Sequence, residues 1–223
     1  MRSFILGAVV AAVSAGAAAA QVAVGPQVGT TGIGVEAEFQ VSPAVTVRGG
    51  GDWFSYDQDF DTDDFTYAGE MDFSTLSAFL DLHPFGNAFF VSGGAYFGDR
   101  SVDVRATAAQ NQVIGGQILT PADFGQLVGE ADFGGFAPFV GLGWNNTFRT
   151  NGPWGFKAVL GATFGEEPSV DLRREGGVAL PAPIQAQFDI EREQEERDLE
   201  DEIDSLRILP VLQVGVTYRF GSR

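Results

Sequence analysis

The chain has 223 residues, 30 of them acidic against 13 basic, with one histidine, no cysteine and a formal net charge of −17 at pH 7. That balance argues against a nucleic-acid partner, whose binding rests on Lys and Arg at phosphate, and the absence of thiols excludes disulfides and thiolate metal sites. Glycine (30 residues) and phenylalanine (20 residues) are abundant, which together with few helix-favouring stretches points to an all-β protein.

Arg2, the apolar run over residues 4–13 and the small residues Ala18, Ala19 and Ala20 read as a secretory signal peptide over 1–20. The run is too short to span a bilayer. One domain over residues 21–223 is then expected, and removal of Arg2 takes the charge from −17 to −18. No later stretch reaches about 18 uninterrupted apolar residues, so a membrane location requires a closed barrel.

Period-two alternation, the mark of a strand with two different surroundings, then recurs along the chain. In residues 31–41, Ile33, Val35, Ala37, Phe39 and Val41 oppose Glu36, Glu38 and Gln40. Val45, Val47 and Trp53 oppose Thr46, Arg48 and Asp52. Leu76, Ala78, Leu80 and Leu82 oppose Thr75, Ser77 and Asp81, while Met71 and Phe73 have the wrong parity and suggest a bulge near Ser74. Residues 89–98 are mixed. Pro138, Val140, Leu142 and Trp144 oppose Gly141 and Gly143, and residues 154–164 set Trp154, Phe156, Leu160 and Phe164 against Lys157, Gly161 and Thr163. The last segment, ILPVLQVGVTYRF over 208–220, sets Ile208, Leu212, Val214, Val216, Tyr218 and Phe220 against Gln213, Gly215, Thr217 and Arg219.

Seven strands are clear, and an up-and-down bacterial barrel takes an even number. Residues 168–174 (PSVDLRR) are favoured as the eighth over part of 21–29. The fold expected is all-β, an eight-stranded antiparallel transmembrane β-barrel with a short charged helix in the last long loop. A soluble exported β-sandwich is the rival; polar faces rich in Gly, Ser and Thr, and aromatics at strand ends, favour the barrel.

Three segments break the rhythm. Residues 57–68 are strongly acidic, 100–132 read as a surface excursion extending two strands, and 176–205 contain a charged helix with Leu199, Ile203 and Leu206 on one stripe and a Glu193/Arg197 pair. That helix is either a solvated element against a barrel rim or a partner-binding one. Asp59, Asp61, Asp63 and Glu70 fall at the first, third, fifth and twelfth positions of a calcium loop, but Asp64 stands where the sharp turn needs Gly. A solvated loop with at most weak cation binding is expected, and no dedicated metal site.

His83 sits in a Pro-Gly turn and reads as structural; no Ser-His-acid spacing or phosphate-binding glycine loop appears. No catalytic residue, no enzymatic activity and no cofactor are expected. The parity places Glu36, Glu38, Arg48, Asp52, Lys157 and Arg219 in one lumen, with Glu36 and Glu38 able to reach Arg219 and Arg48. Buried charges need partners, so the set is either a salt-bridge plug or a charged constriction admitting small polar solutes.

The phrases VGTTGIGVEAEF (28–39), GDWFSYDQD (51–59), LDLHPFGNAFFVSGGAYF (80–97), FAPFVGLGWNN (136–146), GPWGFKAVLGATF (152–164) and ILPVLQVGVTYRF (208–220) resemble a group of small proteobacterial outer-membrane β-barrels, which includes or lies close to CarO-type barrels linked to basic amino-acid uptake. The resemblance implies an eight-stranded barrel in the bacterial outer membrane, in contact with outer-membrane lipid and lipopolysaccharide, and delivered to the barrel-assembly machinery through its C-terminal strand. It implies a narrow channel for small polar or amino-acid-like solutes, with a plugged structural or surface-interaction barrel as the alternative and a lipid-modifying enzyme as a third. No motif in it marks substrate-binding residues. Such chains commonly end on the aromatic; here Gly221-Ser222-Arg223 follow Phe220.

Overall fold

The computed structural model describes residues 21–62, 65–114, 117–179 and 181–220. The expected leader, Asp63 and residues 221–223 lie outside them. In chain order the elements are β1 (Gln21–Gly29), β2 (Gly32–Ser42), β3 (Val45–Asp61), β4 (Phe65–Leu82), β5 (Phe89–Ala108), β6 (Gln112–Ile114), β7 (Gln117–Leu119), α1 (Pro121–Phe124), β8 (Gln126–Asp132), β9 (Phe136–Asn145), β10 (Trp154–Phe164), β11 (Ser169–Glu175), α2 (Ala182–Ile203), a 3₁₀ turn (Asp204–Arg207) and β12 (Ile208–Phe220).

Eight strands close a ring, in the order β1-β2-β3-β4-β5-β9-β10-β12, with β12 returning to β1 through Val24 opposite Tyr218 and Val28 opposite Val214. Every pairing is antiparallel, and closure leaves the ring no free edge. The eighth strand is therefore β1, not residues 168–174. The latter do form a strand, β11, but it pairs with β8 outside the ring. Gly25-Pro26 hides β1 from an alternation reading, and its glycine is required: a Cβ at Gly25 would lie 1.8 Å from the Val216 carbonyl oxygen.

The side-chain distribution inverts that of a soluble sandwich. Arg48 is 1% exposed while Ile33 is 68% exposed. Outward residues such as Leu76, Val140, Leu160 and Leu212 form an apolar belt. Aromatic contacts mark its two ends: Trp154, Tyr218 and Phe220 at one (5.1 and 5.2 Å between rings), Phe97 and Phe136 at the other (5.4 Å). This is the profile of lipid-facing strands.

Gln21, Phe220 and the turns over 43–44, 83–88 and 146–153 lie at one end of the ring; the two-residue turn 30–31 and the longer connections lie at the other. There β3, β4 and β5 run on beyond the ring and, with β8 and β11, form an open five-stranded head. Residues 57–61 and 65–68 of the acidic segment are thus strand rather than loop, held by continuous pairing out to Asp61 opposite Thr66. No bulge occurs at Ser74, since the β3–β4 and β4–β5 ladders keep one register throughout. Phe73 instead packs on Phe54 (5.9 Å) where the hairpin leaves the ring. The register shift lies between Gln40 and Ser42.

Candidate functional site

Parity along β2, β3, β4, β5 and β10 aims Glu36, Arg48, Asp81, Ser92 and Lys157 into the ring. Arg48 is the hub. Its Nε donates to Asp81 Oδ2 (2.5 Å), Nη2 to Asp81 Oδ1 (3.1 Å) and Ser92 Oγ (3.2 Å), and Nη1 to Glu36 Oε2 (2.7 Å). Two parallel bonds to one carboxylate are the strong form of this interaction. The guanidinium also lies 4.7 Å from the Phe79 ring centre and 5.5 Å from that of Phe90, within cation–π range. Lys157 Nζ donates to Glu36 Oε1 and to Gln27 Oε1 (3.0 Å), so Glu36 joins the two cations.

Asp52 and Glu38 are held differently. Asp52 Oδ1 accepts from Gln27 Nε2 (2.9 Å) and Gln213 Nε2 (3.4 Å), and Glu38 Oε2 accepts from Asn145 Nδ2 (3.0 Å). Asp52 Oδ2, Glu38 Oε1, Thr75 Oγ1 and Ser77 Oγ are buried without a protein partner among the described residues.

Toward the head, Phe79, Tyr96 and Phe139 form an edge-to-face cluster with ring centres 5.1–6.0 Å apart. Gly161 makes room for it: a Cβ there would lie 2.5 Å from the Phe139 ring. Above the cluster is a cavity of about 60 Å³ lined by Thr30, Thr31, Phe73, Thr75, Tyr96 and Arg100, among others.

The opposite end is stoppered by the turn 146–153. Thr147 and Phe148 are buried, and the Thr147 and Thr217 hydroxyls lie 2.7 Å apart. Arg219 donates to the carbonyls of Thr147 (3.4 Å), Thr150 (3.4 Å) and Gly152 (3.1 Å), and Arg149 donates to the Pro43 carbonyl (2.9 Å). His83 is buried beside this seal, its Nδ1 3.0 Å from the Phe89 carbonyl.

All six charges named from the sequence are buried in the ring, and Glu36 reaches Arg48 as expected, but the other pairings differ. Arg219 holds turn carbonyls instead of Glu36 or Glu38, because it lies at the C-terminal end of strand β12, beside the turn 146–153. Glu38 has an amide as its bonded partner, not a cation. Asp81, Ser92, Gln27, Gln213 and Asn145 complete the network and were not singled out, although Asp81 and Gln213 were visible on the polar faces of their strands.

Asp59 lies opposite Ala68 and Glu70 opposite Asp57 in regular hairpin pairing, and no group of three His, Cys, Asp or Glu that could hold a metal occurs among the described residues. The acids instead form a row across the outer face of the head: Asp57, Glu70, Asp103, Glu130 and Asp171 stand opposite one another, strand to strand. In α2 the i,i+4 ion pair is Arg192 with Glu196 rather than Glu193 with Arg197.

The chain is an eight-stranded antiparallel transmembrane β-barrel, its lumen filled by its own side chains, with a charged helix in the last long connection. No protein-family model matches the chain, and neither does a curated protein. Among solved structures it is similar to CarO2 of Acinetobacter baumannii (23% identity, TM-score 0.57, covering 90% of this chain and 98% of that one) and to CarO of the same organism (24% identity, TM-score 0.55, covering 89% and 97%). At this identity the likeness is one of fold, that of outer-membrane β-barrels.

Proposed function

We propose that this chain is a non-enzymatic protein of the bacterial outer membrane, exported by its leader, in which the barrel is a plugged anchor and the head beyond the ring is the interacting surface. One observation carries the reading: Glu36, Arg48, Asp81 and Lys157 are bonded to one another across the lumen and almost entirely withdrawn from solvent. An eight-stranded ring is only just wide enough for its own side chains, and here charges, the aromatic cluster and the 146–153 turn occupy it in succession. Only short turns on one side, and the long connections all on the other, support an orientation with the head outside the cell. In this reading the partners are outer-membrane lipid, lipopolysaccharide and the assembly machinery that receives β12.

Planar-bilayer recording tests it. The purified protein is expected to stay silent across the voltage range. Unitary conductance altered by Lys157→Ala would overturn the plug.

A second reading, a narrow pathway for small polar solutes, is favoured by the partnerless oxygens of Glu38, Asp52, Thr75 and Ser77 in the lumen. Buried polar groups of this kind are where water or a polar solute binds. Solute-specific uptake by liposomes holding the protein, lost in Asp52→Asn, would favour that reading over the plug.

A further inference from the structure

Side chains of α2 imitate a neighbouring strand along the β11 edge of the head. Glu200 Oε1 accepts from the Val170 amide (3.0 Å), Glu196 Oε1 accepts from the Leu172 amide (2.8 Å), and Arg192 Nη1 donates to the Leu172 carbonyl (3.3 Å). Four helical residues advance about 6 Å and two strand residues about 6.6 Å, so carboxylates one helical turn apart meet alternate amides. Little else holds the helix. None of its residues is buried, and its sequence carries nine carboxylates against Arg192 and Arg197. A space of about 380 Å³ separates its N-terminal half from β11, between Phe188 and Arg192 on one side and Leu172 and Arg174 on the other. Elements with so few buried contacts open first.

We infer that α2 is a displaceable cover, and that the edge beneath it takes a second copy of this chain, β11 against β11, antiparallel about a two-fold axis at Leu172. The outward amides are Val170, Leu172 and, by alternation, Arg174. An antiparallel partner must therefore form its hydrogen-bonded pairs at these positions. Centring on Leu172 does so, with Leu172 opposite itself and Val170 opposite Arg174. The same register sets Asp171 opposite Arg173 twice, in the narrow pairs where side chains are closest.

Neighbouring registers fail. A shift of one residue breaks the amide match. A shift of two puts Asp171 opposite Asp171, or Arg173 opposite Arg173. The partner's Arg173 would also meet Asp171 at the end of the acidic row. The other open edge of the head, β3 beyond Trp53, alternates Asp57 and Asp59, so self-pairing there opposes acid to acid, a common way of blunting an edge. The inference does not depend on whether the lumen conducts.

The cysteine-free chain suits a cross-linking test on the full-length protein in detergent micelles. Asp171→Cys and Arg173→Cys are made separately, each with and without Glu196→Ala/Glu200→Ala to release the helix. Released protein is expected to elute as a dimer. Oxidising a mixture of the two cysteine variants should then yield at least about tenfold more disulfide dimer than either alone, because Cα atoms in narrow pairs lie about 4.5 Å apart, within disulfide reach. Adding Leu172→Pro, which removes the central amide, should restore the monomer. Heat-modifiable gel migration reports that each variant keeps its barrel, and replacement of 182–203 by a short Gly-Ser linker gives a second route to release. Released protein that stays monomeric, cross-links equally from each variant alone, or forms open-ended oligomers would overturn the inference.

Discussion

Arg48 and Asp81 meet through two parallel hydrogen bonds, at 2.5 and 3.1 Å, with neither side chain more than 1% exposed. Breaking such a pair from one side leaves an uncompensated charge in the interior and costs about 3–5 kcal/mol, whereas replacing both partners by apolar groups of similar volume is often near neutral. Arg48 keeps its bond to Glu36 when Asp81 is removed, so Asp81→Ala is expected to lower barrel stability by less than that, about 1.5–3 kcal/mol for the lost charged hydrogen bonds, and Arg48→Met/Asp81→Leu to recover most of it, with Glu36 retained by Lys157. Urea unfolding in liposomes, followed by tryptophan fluorescence, measures both. A double variant no better than the single one would remove Arg48–Asp81 as the governing contact.

Arg219 contributes at the sealed end rather than in the ionic layer. Its three carbonyl bonds fix the turn 146–153, and hydrogen bonds from a charged donor contribute about 1.5–3 kcal/mol each at most. Arg219→Ala should raise amide exchange selectively in 146–153, leaving β2 and β3 protected as before. Mass-resolved hydrogen exchange reads the difference.

His83 supplies a pH dependence. Burial, then the nearby Arg149 charge, holds its imidazole below the ordinary value, against a smaller opposing effect of the Phe89 carbonyl. The unfolded chain thus binds the proton more readily than the folded one. Stability from this group is complete above about pH 6.5, the unfolded value, and falls as the pH drops toward the lowered folded value. His83→Gln should flatten the slope of unfolding free energy in that window, measured by denaturant titration at stepped pH.

Glu70 stands between Asp57 and Asp103 in the acidic row, and its pKa is raised, first by a hydrogen bond to Asp72 and the Asp72 charge and then by the Asp57 charge. Like charges directly opposite one another destabilise a sheet. Glu70→Gln is expected to increase amide protection at the head ends of β3, β4 and β5, with the gain shrinking as salt is added, since the Debye length falls from about 10 Å at 0.1 M to about 3 Å at 1 M.

Much of the ring was legible because lipid demands one uniformly apolar face. Residues 154–164 and 208–220 alternate cleanly for that reason. β1 was obscured where Gly25 must admit the Val216 carbonyl, and Met71 and Phe73 suggested a bulge because they lie beyond the belt, where the lipid pattern no longer applies. Residues 168–174 read as a strand, but alternation does not name a strand's neighbour, so their place beside β8 was out of reach. The inward identity of Glu36, Arg48 and Lys157 followed from parity. Which of them touch depends on the stagger between strands around the ring, and that is why Asp81, distant in sequence and adjacent in space, was missed as the partner of Arg48.

The stopper at the closed end also records the order of building. Its carbonyls lie on the turn between β9 and β10, while the guanidinium that holds them lies on β12, which follows every other strand of the ring in chain order. The Thr147–Thr217 contact is divided in the same way. Until β12 is seated against β10 and β1, the turn has neither of these restraints. Sealing the bore is thus the same event as finishing the wall, and a barrel lacking its final strand is an open one.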